Sequence, residues 1–142
     1  MSNHLPGEVT IEIITSARAS DLKVLYKSAG WWEPSHDKNP GFLNHIVQNS
    51  ALFAGAFYKA EMIGMGRALS DSVSDAYIQD VTVLKAFEKK GVGKKIVNIL
   101  VETLRANGVD WIGVVAQPGT ALFYEKLGFG KLNNHTPLKY KG

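Results

Sequence analysis

The chain has 142 residues, of which 45% are hydrophobic and 20% charged, a composition that fits one folded domain over residues 1–142 and excludes a disordered or fibrous protein. Lys and Arg number 16 against 13 Asp and Glu, and cysteine is absent, which excludes disulfides, thiolate metal sites and a cysteine nucleophile. We find neither an apolar run of membrane length nor a secretory leader in MSNHLPGEVT, and we therefore expect a cytoplasmic protein.

The first half of the chain contains segments with the hydrophobic period of a strand and segments with that of a helix. Polar and apolar residues alternate over 8–14, as in a half-buried strand, and Leu22, Leu25 and Tyr26 then follow at helical spacing. The expected elements are a strand at 8–14, a helix from Ser16 or Ser20 to Gly30, a loop at 31–41, a short helix at 41–49, and strands at 51–58, 61–69 and 76–84.

The second half predicts one βαβ unit and a short helix. A helical apolar face begins at Val92 and ends at Asn107-Gly108, and WIGVVA, residues 111–116, has the length of a buried strand. Because strands 76–84 and 111–116 flank one helix, they should pair in parallel within an otherwise antiparallel sheet. Pro118 is expected at the first position of a last helix that Gly128 closes. A terminal hairpin is expected from 129–132 and 137–140.

The segment EKKGVGKKIV, residues 88–97, places four lysines around two glycines at the start of a predicted helix. The first N–H groups of a helix have no intrahelical partners and the helix dipole is positive at that end, so such an end binds anions. Gly91 and Gly93 allow close approach of the backbone to a ligand, and the lysines add positive charge. The segment therefore predicts a polyphosphate site.

Two common phosphate motifs do not fit this segment. The P-loop pattern requires Gly where the chain has Glu88, and Ser or Thr where it has Lys95. The dinucleotide fingerprint beginning at Gly91 requires Gly or Ala where Ile96 stands. A solvated, lysine-rich helix start with turn-forming glycines stays open as the alternative.

VTVLKAFEKKGVGKKIV at 81–97, followed by ALFYEKLGF at 121–129, resembles the GNAT superfamily of acetyltransferases. The acetyl-CoA signature of that superfamily, [Q/R]-x-x-G-x-[G/A], corresponds to Glu88 through Gly93, with Glu88 in place of Gln or Arg. The resemblance covers roughly residues 50–130. It implies an α/β fold of the GNAT acyl-CoA N-acyltransferase type, in which helices flank a mixed central sheet with splayed parallel strands.

A narrower likeness lies within that superfamily. IGMGRALSDSVSDAYIQDVTV, with its R-A-x-S-D turn and I-x-D-V strand, and GWW at 30–32 resemble the small plant and cyanobacterial enzymes that acetylate serotonin and related arylalkylamines. This likeness implies an amine-acetylating enzyme more firmly than it identifies the amine.

By this resemblance, acetyl-CoA would lie where strands 76–84 and 111–116 splay apart. The backbone of Val81, Thr82 and Val83 would pair with the pantetheine arm, and an amide near Val81 would hold the thioester oxygen as an oxyanion donor. Gln117 replaces a common family Asn that contacts the cofactor, although it could equally serve a turn at Pro118. The residues expected near the diphosphate are Glu88, Lys89, Lys90, Gly91, Val92, Gly93 and Lys94.

Two residues are predicted to move protons. Tyr124 matches the tyrosine that in the family protonates the departing thiolate, although core packing would explain an isolated helical tyrosine. An alkylammonium loses its proton at pH 7 at a cost of about 4.6 kcal/mol, so the site needs a base, a desolvating pocket or both. Asp80 matches the Asp of the I-x-D-V strand and is the candidate base. A structural role, a bond to the Ser70-Asp71 turn or the orientation of a neighbour, stays open.

The amine itself should meet aromatic and polar side chains. Trp31 and Trp32 could form the wall of a site for an aromatic amine or attract a cation through their ring faces, or one of them could fill the core. Tyr77 and Gln79 share the alternate face of their strand and could also contact the amine.

We therefore predict an acetyl-CoA-dependent N-acetyltransferase whose acceptor is a primary amine, an arylalkylamine or another small amine being favoured, and whose reaction is direct attack in a ternary complex. The alternative is a catalytically weak GNAT-fold acyl-CoA sensor or protein-interaction module, which Glu88 favours and Tyr124 opposes. Nucleic-acid binding is disfavoured because only Phe87 interleaves the lysines. No metal and no membrane partner are expected, and a homodimer is compatible with the family.

Overall fold

The computed structural model describes residues 8–39 and 41–142. Residues 1–7, on which the expected absence of a secretory leader rests, and Pro40, in the predicted loop at 31–41, lie outside the described residues. Short 3-10 turns occupy Pro34–Lys38, within the predicted loop, and Lys85–Phe87. The strands and helices are β1 (Thr10–Ile13), α1 (Ala19–Ser28), α2 (Phe42–Asn49), β2 (Leu52–Tyr58), β3 (Glu61–Ser70), β4 (Asp75–Val83), α3 (Val92–Ala106), β5 (Trp111–Val114) and α4 (Ala121–Lys126).

The strands form one five-stranded sheet in the order β1-β2-β3-β4-β5. The first four strands pair antiparallel, and β4 pairs with β5 in parallel. The connection between these last two strands runs through α3, as a parallel pair requires. The predicted α/β fold with a mixed sheet is confirmed.

Helices cover both faces of this sheet. The apolar face of α3, including Ile96 and Leu100, is fully buried on one side, while α1 and α2 bury Leu25 and Leu43 on the other. Each such side chain stabilises the fold by about 1.5–3 kcal/mol. A Cβ built at Gly66 of β3 would lie 2.7 Å from Ile96 Cγ2. Glycine at this position therefore lets α3 approach the sheet closely.

The pairing of β4 and β5 covers only the first part of β4. It runs from Asp75 opposite Trp111 to Ile78 opposite Val114, where β5 ends. Beyond that point β4 continues to Val83 without a partner on this side. The two strands therefore leave a gap at their carboxyl ends, where the family resemblance implies that they splay apart.

The structure corrects two predictions for the last third of the chain. The last helix begins at Ala121, and Pro118 lies ahead of it, separated by Gly119 in the left-handed region at φ +82°. The terminal hairpin is not formed, because residues 129–142 contain no strand. Leu138 and Tyr140 in this segment are both 90% exposed, so they bury no face that would stabilise a short hairpin.

Candidate active site

A cavity of about 1240 Å³ lies between the free part of β4 and the start of α3. The predicted pantetheine-binding residues Val81, Thr82 and Val83 form one wall, and Phe123 and Tyr124 of α4 form another. The remaining lining residues are Phe87, Glu88, Lys89, Gly91, Val92, Gly93, Lys94, Lys95, Gly119, Thr120 and Lys126. The structure thus brings most of the predicted cofactor residues into one space.

The N-terminus of α3 opens into this cavity. Gly91 caps the helix at φ +85°, a left-handed conformation that suits glycine. The amide of Lys95 donates a hydrogen bond to the carbonyl oxygen of Gly91 at 3.1 Å, and this is the first hydrogen bond of the helix. The amides of Val92, Gly93 and Lys94 come before it and therefore have no acceptor within the helix. These amides and the positive end of the helix dipole favour an anion in the cavity.

Side-chain charge reinforces this preference for an anion. Lys89, Lys94, Lys95 and Lys126 line the cavity, whereas Lys90, also predicted to contact the cofactor, is absent from its wall. Glu88 contributes a carboxylate to the same wall. The balance of charge is positive, which suits a ligand that carries several phosphate charges.

A β-bulge interrupts β4 at the start of the cavity wall. Met65 pairs with Thr82 and Arg67 pairs with Gln79, so that Asp80 and Val81 together oppose a single residue of β3. Asp80 itself has φ +54°. The bulge shifts the residues from Val81 onward relative to those before it, which turns this part of β4 towards the cavity.

Asp80, the predicted base, is tied into this bulge by two side chains. Its Oδ2 accepts hydrogen bonds from Arg67 Nε at 2.7 Å and from Tyr26 Oη at 3.0 Å. The carboxylate side chain is 24% exposed, and Asp80 is absent from the cavity wall. The Ser70-Asp71 turn is held by its own hydrogen bonds and not by Asp80, since Asp71 accepts hydrogen bonds from the amides of Val73 and Ser74.

Tyr124 is a buried phenol on the cavity wall. It is 8% exposed, and its ring makes edge contacts with Phe123 and Phe129 at centroid distances of 4.9 and 5.7 Å. Burial raises the pKa of Tyr124, because desolvation disfavours the phenolate. The phenol therefore stays protonated at neutral pH and can donate a proton.

A second cavity, of about 330 Å³, adjoins the first. The two share Thr82, Val83 and Glu88, while Trp31 and Gln117 line only the second. Its other lining residues are Ser28, Ala29 and Lys85. Gln117, predicted to contact the cofactor, thus lies beside the space that Trp31 flanks.

Three residues predicted to contact the amine lie outside both cavities. Trp32 packs against Phe42, with ring centroids 6.5 Å apart. Tyr77 is 47% exposed, with its ring centroid 5.3 Å from that of Trp111, and Gln79 is exposed on the same face of β4. Among the predicted acceptor residues, Trp31 is therefore the one that the structure places at a cavity.

Sequence reasoning missed several residues of the walls. Phe123 lies beside Tyr124 in α4, and Thr120 is the N-cap of that helix, where the four-residue spacing places it on the same face as Tyr124. That spacing could have identified Thr120. Ser28 and Ala29, at the end of α1, carry no such signal, because only the packing of α1 on the sheet brings them to the second cavity.

Two absences hold for the described part of the chain. Within residues 8–39 and 41–142, we find no cluster of three or more His, Asp or Glu side chains that could bind a metal ion. None of the helices formed by these residues has the length and hydrophobicity of a membrane span.

The family model and the named relatives that match this chain are all described as acetyltransferases. The sequence model described as Acetyltransferase (GNAT) family matches residues 16–129. The protein named uncharacterized N-acetyltransferase ycf52 of Gracilaria tenuistipitata var. liui is 33% identical over 113 residues, which cover 77% of this chain and 60% of that protein. GCN5-related N-acetyltransferase 3, chloroplastic, of Arabidopsis thaliana is 31% identical over 94 residues, covering 66% and 39% of the two chains.

Solved structures share the fold at low sequence identity. A GNAT family acetyltransferase of Streptococcus pneumoniae TIGR4 superposes with a TM-score of 0.80 at 19% identity, over 94% of this chain and 98% of that one. Glucosamine-6-phosphate N-acetyltransferase of Arabidopsis thaliana gives 0.70 at 17% identity, over 94% and 99%. The chain spans about three fifths of the length of its ycf52 relatives.

Proposed function

Because the chain belongs to the GNAT family of acetyltransferases, we propose that it transfers the acetyl group of acetyl-CoA to a primary amine by direct attack in a ternary complex. The observation that carries this proposal is the larger cavity, which joins the open amides of α3 to β4 and to the buried phenol of Tyr124. A helix N-terminus that favours anions, an extended strand and a buried phenol thus line one space.

The cavity offers acetyl-CoA a distinct set of groups for each part of the molecule. The amides of Val92, Gly93 and Lys94, together with the flanking lysines, would bind the diphosphate. The free part of β4 would pair with the pantetheine arm, because its neighbour β5 ends at Val114 and leaves that edge open. The thioester would then lie near Val81, beside the bulge.

Two residues have separate roles in the proposed reaction, Val81 in stabilising charge and Tyr124 in donating a proton. As the amine nitrogen bonds to the thioester carbon, negative charge develops on the carbonyl oxygen, and the Val81 amide stabilises it. One such donor is typically worth about 2.7–4 kcal/mol. When the carbon–sulfur bond breaks, Tyr124 donates its proton to the leaving sulfur. The acetylated amine and free coenzyme A are the products.

The second cavity is the proposed acceptor site. It adjoins the first at Thr82 and Val83, and Trp31 lines one side of it. An aromatic ring can pack on Trp31, and Glu88 can attract an ammonium group. These features support an arylalkylamine acceptor, in line with the resemblance to the serotonin-acetylating enzymes. A cytoplasmic location and a homodimer remain predictions.

The acceptor has to lose a proton before or during attack. Asp80 is the base predicted from the sequence. Since its carboxylate lies in neither cavity wall, a proton would have to reach it through water. The base role of Asp80 stays a prediction.

The competing function is an acyl-CoA sensor without turnover. Glu88 favours it, since a carboxylate beside the proposed diphosphate site opposes the binding of an anion. The buried phenol of Tyr124 favours the enzyme, because a binding module needs no proton donor at the thioester.

Thiol release from acetyl-CoA, measured with tryptamine, phenethylamine, spermidine and a lysine peptide, separates the two functions. We expect turnover above the solvent background, with the arylalkylamines as the better acceptors. Calorimetry with acetyl-CoA runs in parallel. Coenzyme binding without turnover for any amine would contradict the enzyme proposal and support the sensor.

A further inference from the structure

A partly buried side-chain network holds the bulge that contains the proposed oxyanion amide. Asp80 lies in this bulge, and its Oδ2 accepts hydrogen bonds from Arg67 Nε and Tyr26 Oη. We propose that Tyr26 and Arg67 are positioning residues, which act through the Asp80 carboxylate to fix the bulge and thereby aim the Val81 N–H at the thioester oxygen. This inference rests on the proposed function.

The backbone of the bulge needs such support. Asp80 has φ +54°, in the left-handed region that few residues other than glycine adopt, although Asp is among those that tolerate it. Conformations of this kind persist where the surrounding structure holds them. A return to regular pairing would turn the residues after Asp80 to the opposite face of the strand, and the Val81 amide would leave the cavity.

The bulge is held from both faces of the sheet. On the α3 face, a Cβ at Gly66 would lie 2.7 Å from Ile96 Cγ2 and 3.2 Å from Val81 Cγ2, so Val81 is packed closely between β3 and α3. On the α1 face, the phenol of Tyr26 reaches Asp80. Packing thus fixes one residue of the bulge and hydrogen bonds fix the other.

Both donors are themselves well anchored. Tyr26 is 6% exposed, and burial together with the Asp80 charge raises its pKa, so the phenol remains a donor at neutral pH. The Arg67 side chain is 16% exposed, and its Nη1 lies 3.4 Å from Ser50 Oγ. Donors with this little freedom can hold the carboxylate in one position.

The same phenol connects the bulge to the proposed acceptor site. The rings of Tyr26 and Trp31 make an edge contact at a centroid distance of 5.6 Å, and the Trp31 amide donates to the carbonyl oxygen of Tyr26 at 2.9 Å. Since Trp31 lines the second cavity, Tyr26 supports one wall of each half of the proposed site.

Replacement of Tyr26 by Phe removes one donor and keeps the ring. We expect kcat to fall by about tenfold, part of the roughly 100- to 1000-fold loss that follows complete removal of an oxyanion donor, while the Kd for acetyl-CoA stays within about twofold because the diphosphate site is untouched. Tyr58 is a partly buried tyrosine that packs on Phe87. The variant Tyr58→Phe is the matched control and should keep kcat. An unchanged kcat in Tyr26→Phe would overturn the inference.

Asp80 variants separate the positioning role from the predicted base role. Asparagine retains an oxygen that accepts from Arg67 and Tyr26 but cannot take up the amine proton. We expect Asp80→Asn to keep most of the wild-type kcat and the wild-type pH profile, and Asp80→Ala to lose kcat. An equal loss of kcat in Asp80→Asn and Asp80→Ala, with disappearance of the acidic limb of the pH profile, would show that Asp80 is the general base. That result would overturn the positioning role.

Arg67→Lys provides an independent arm, because lysine keeps the charge but lacks the Nε–H that meets Asp80. It should lower kcat at constant coenzyme affinity, whereas Arg18→Lys, in the exposed Arg18–Asp21 pair, should not. An active wild type with unaffected Arg67→Lys and Tyr26→Phe would overturn this inference alone. A wild type that acetylates no amine would overturn the proposed function, and the inference with it.

Discussion

Tyr124 combines burial with access to the larger cavity. Its raised pKa means that the protonated form dominates at every pH below 10 and is lost only as the pH rises through the raised value. We predict that Tyr124→Phe lowers kcat by about 100-fold or more, as expected for the loss of a general acid. Thiol release at saturating substrates measures this effect.

The Kd for acetyl-CoA should be nearly unchanged in Tyr124→Phe, because the phenol acts only when the carbon–sulfur bond breaks. Tyr140→Phe serves as the control, since Tyr140 is 90% exposed and should retain full activity. A Tyr124→Phe protein as fast as the wild type would remove this residue from the mechanism.

Glu88 is the departure from the family signature, and it lines both cavities. We predict that Glu88→Gln tightens acetyl-CoA binding by about 1.5- to 5-fold, the range that corresponds to an exposed charge interaction of roughly 0.2–1 kcal/mol. The gain should shrink at high salt. Titration calorimetry compares this variant with Glu102→Gln, an exposed residue of α3, which should bind like the wild type. Weaker binding by Glu88→Gln would show that the carboxylate assists the coenzyme.

At the scale of single residues, local patterns predicted the walls of the larger cavity better than those of the second cavity. Gly91, Gly93 and Tyr124 lie in contiguous motifs, and their surroundings follow from the helices that contain them. Alternation along β4 correctly placed Tyr77 and Gln79 on one face, but that face lies outside both cavities. The bond between Tyr26 and Asp80 spans 54 positions, and no local pattern could have revealed it.

At the scale of elements, the start of α3 depends on one glycine. Gly91 has φ +85°, a conformation that costs an L-residue about 1–2 kcal/mol. We predict that Gly91→Ala lowers the free energy of unfolding by that amount and weakens acetyl-CoA binding, because the amides that follow would be displaced. Denaturant titration and calorimetry measure the two effects.

Gly130→Ala is the matched control for Gly91→Ala. An added Cβ at Gly130 meets no heavy atom within 4 Å, and its φ is not in the left-handed region. The change in stability there should stay within about 0.5 kcal/mol. Equal stability of the two variants would contradict the role assigned to Gly91.

The elements that the sequence predicted wrongly are those with little to bury. The helix α3 and strand β4 have clear apolar periods, β2 and β3 are nearly continuous apolar runs, and all four form where expected. The predicted hairpin at 129–140 had only short apolar stretches, and Leu138 within it is 90% exposed. Pro118 suits a first helical turn, but the left-handed conformation of Gly119 delays the helix to Ala121.

At the scale of the whole molecule, the site follows from the topology of the sheet. The parallel pair β4 and β5 is connected through α3, so the N-terminus of α3 and the open edge of β4 meet at the same end of the sheet. The order of elements predicted this arrangement because a parallel pair requires a crossover. The packing of α1, which brings Ser28 and Ala29 to the second cavity, and the contact of Tyr26 with the bulge at Asp80 join distant segments.

The most direct measurement is a calorimetric titration of the protein with acetyl-CoA and, separately, with S-acetylpantetheine, which has the thioester but lacks the diphosphate. We predict one site for acetyl-CoA, weakened by added salt, and affinity for S-acetylpantetheine lower by at least about tenfold, equivalent to roughly 1.4 kcal/mol. No heat with acetyl-CoA, or equal affinity for the two compounds, would contradict a diphosphate site at the start of α3.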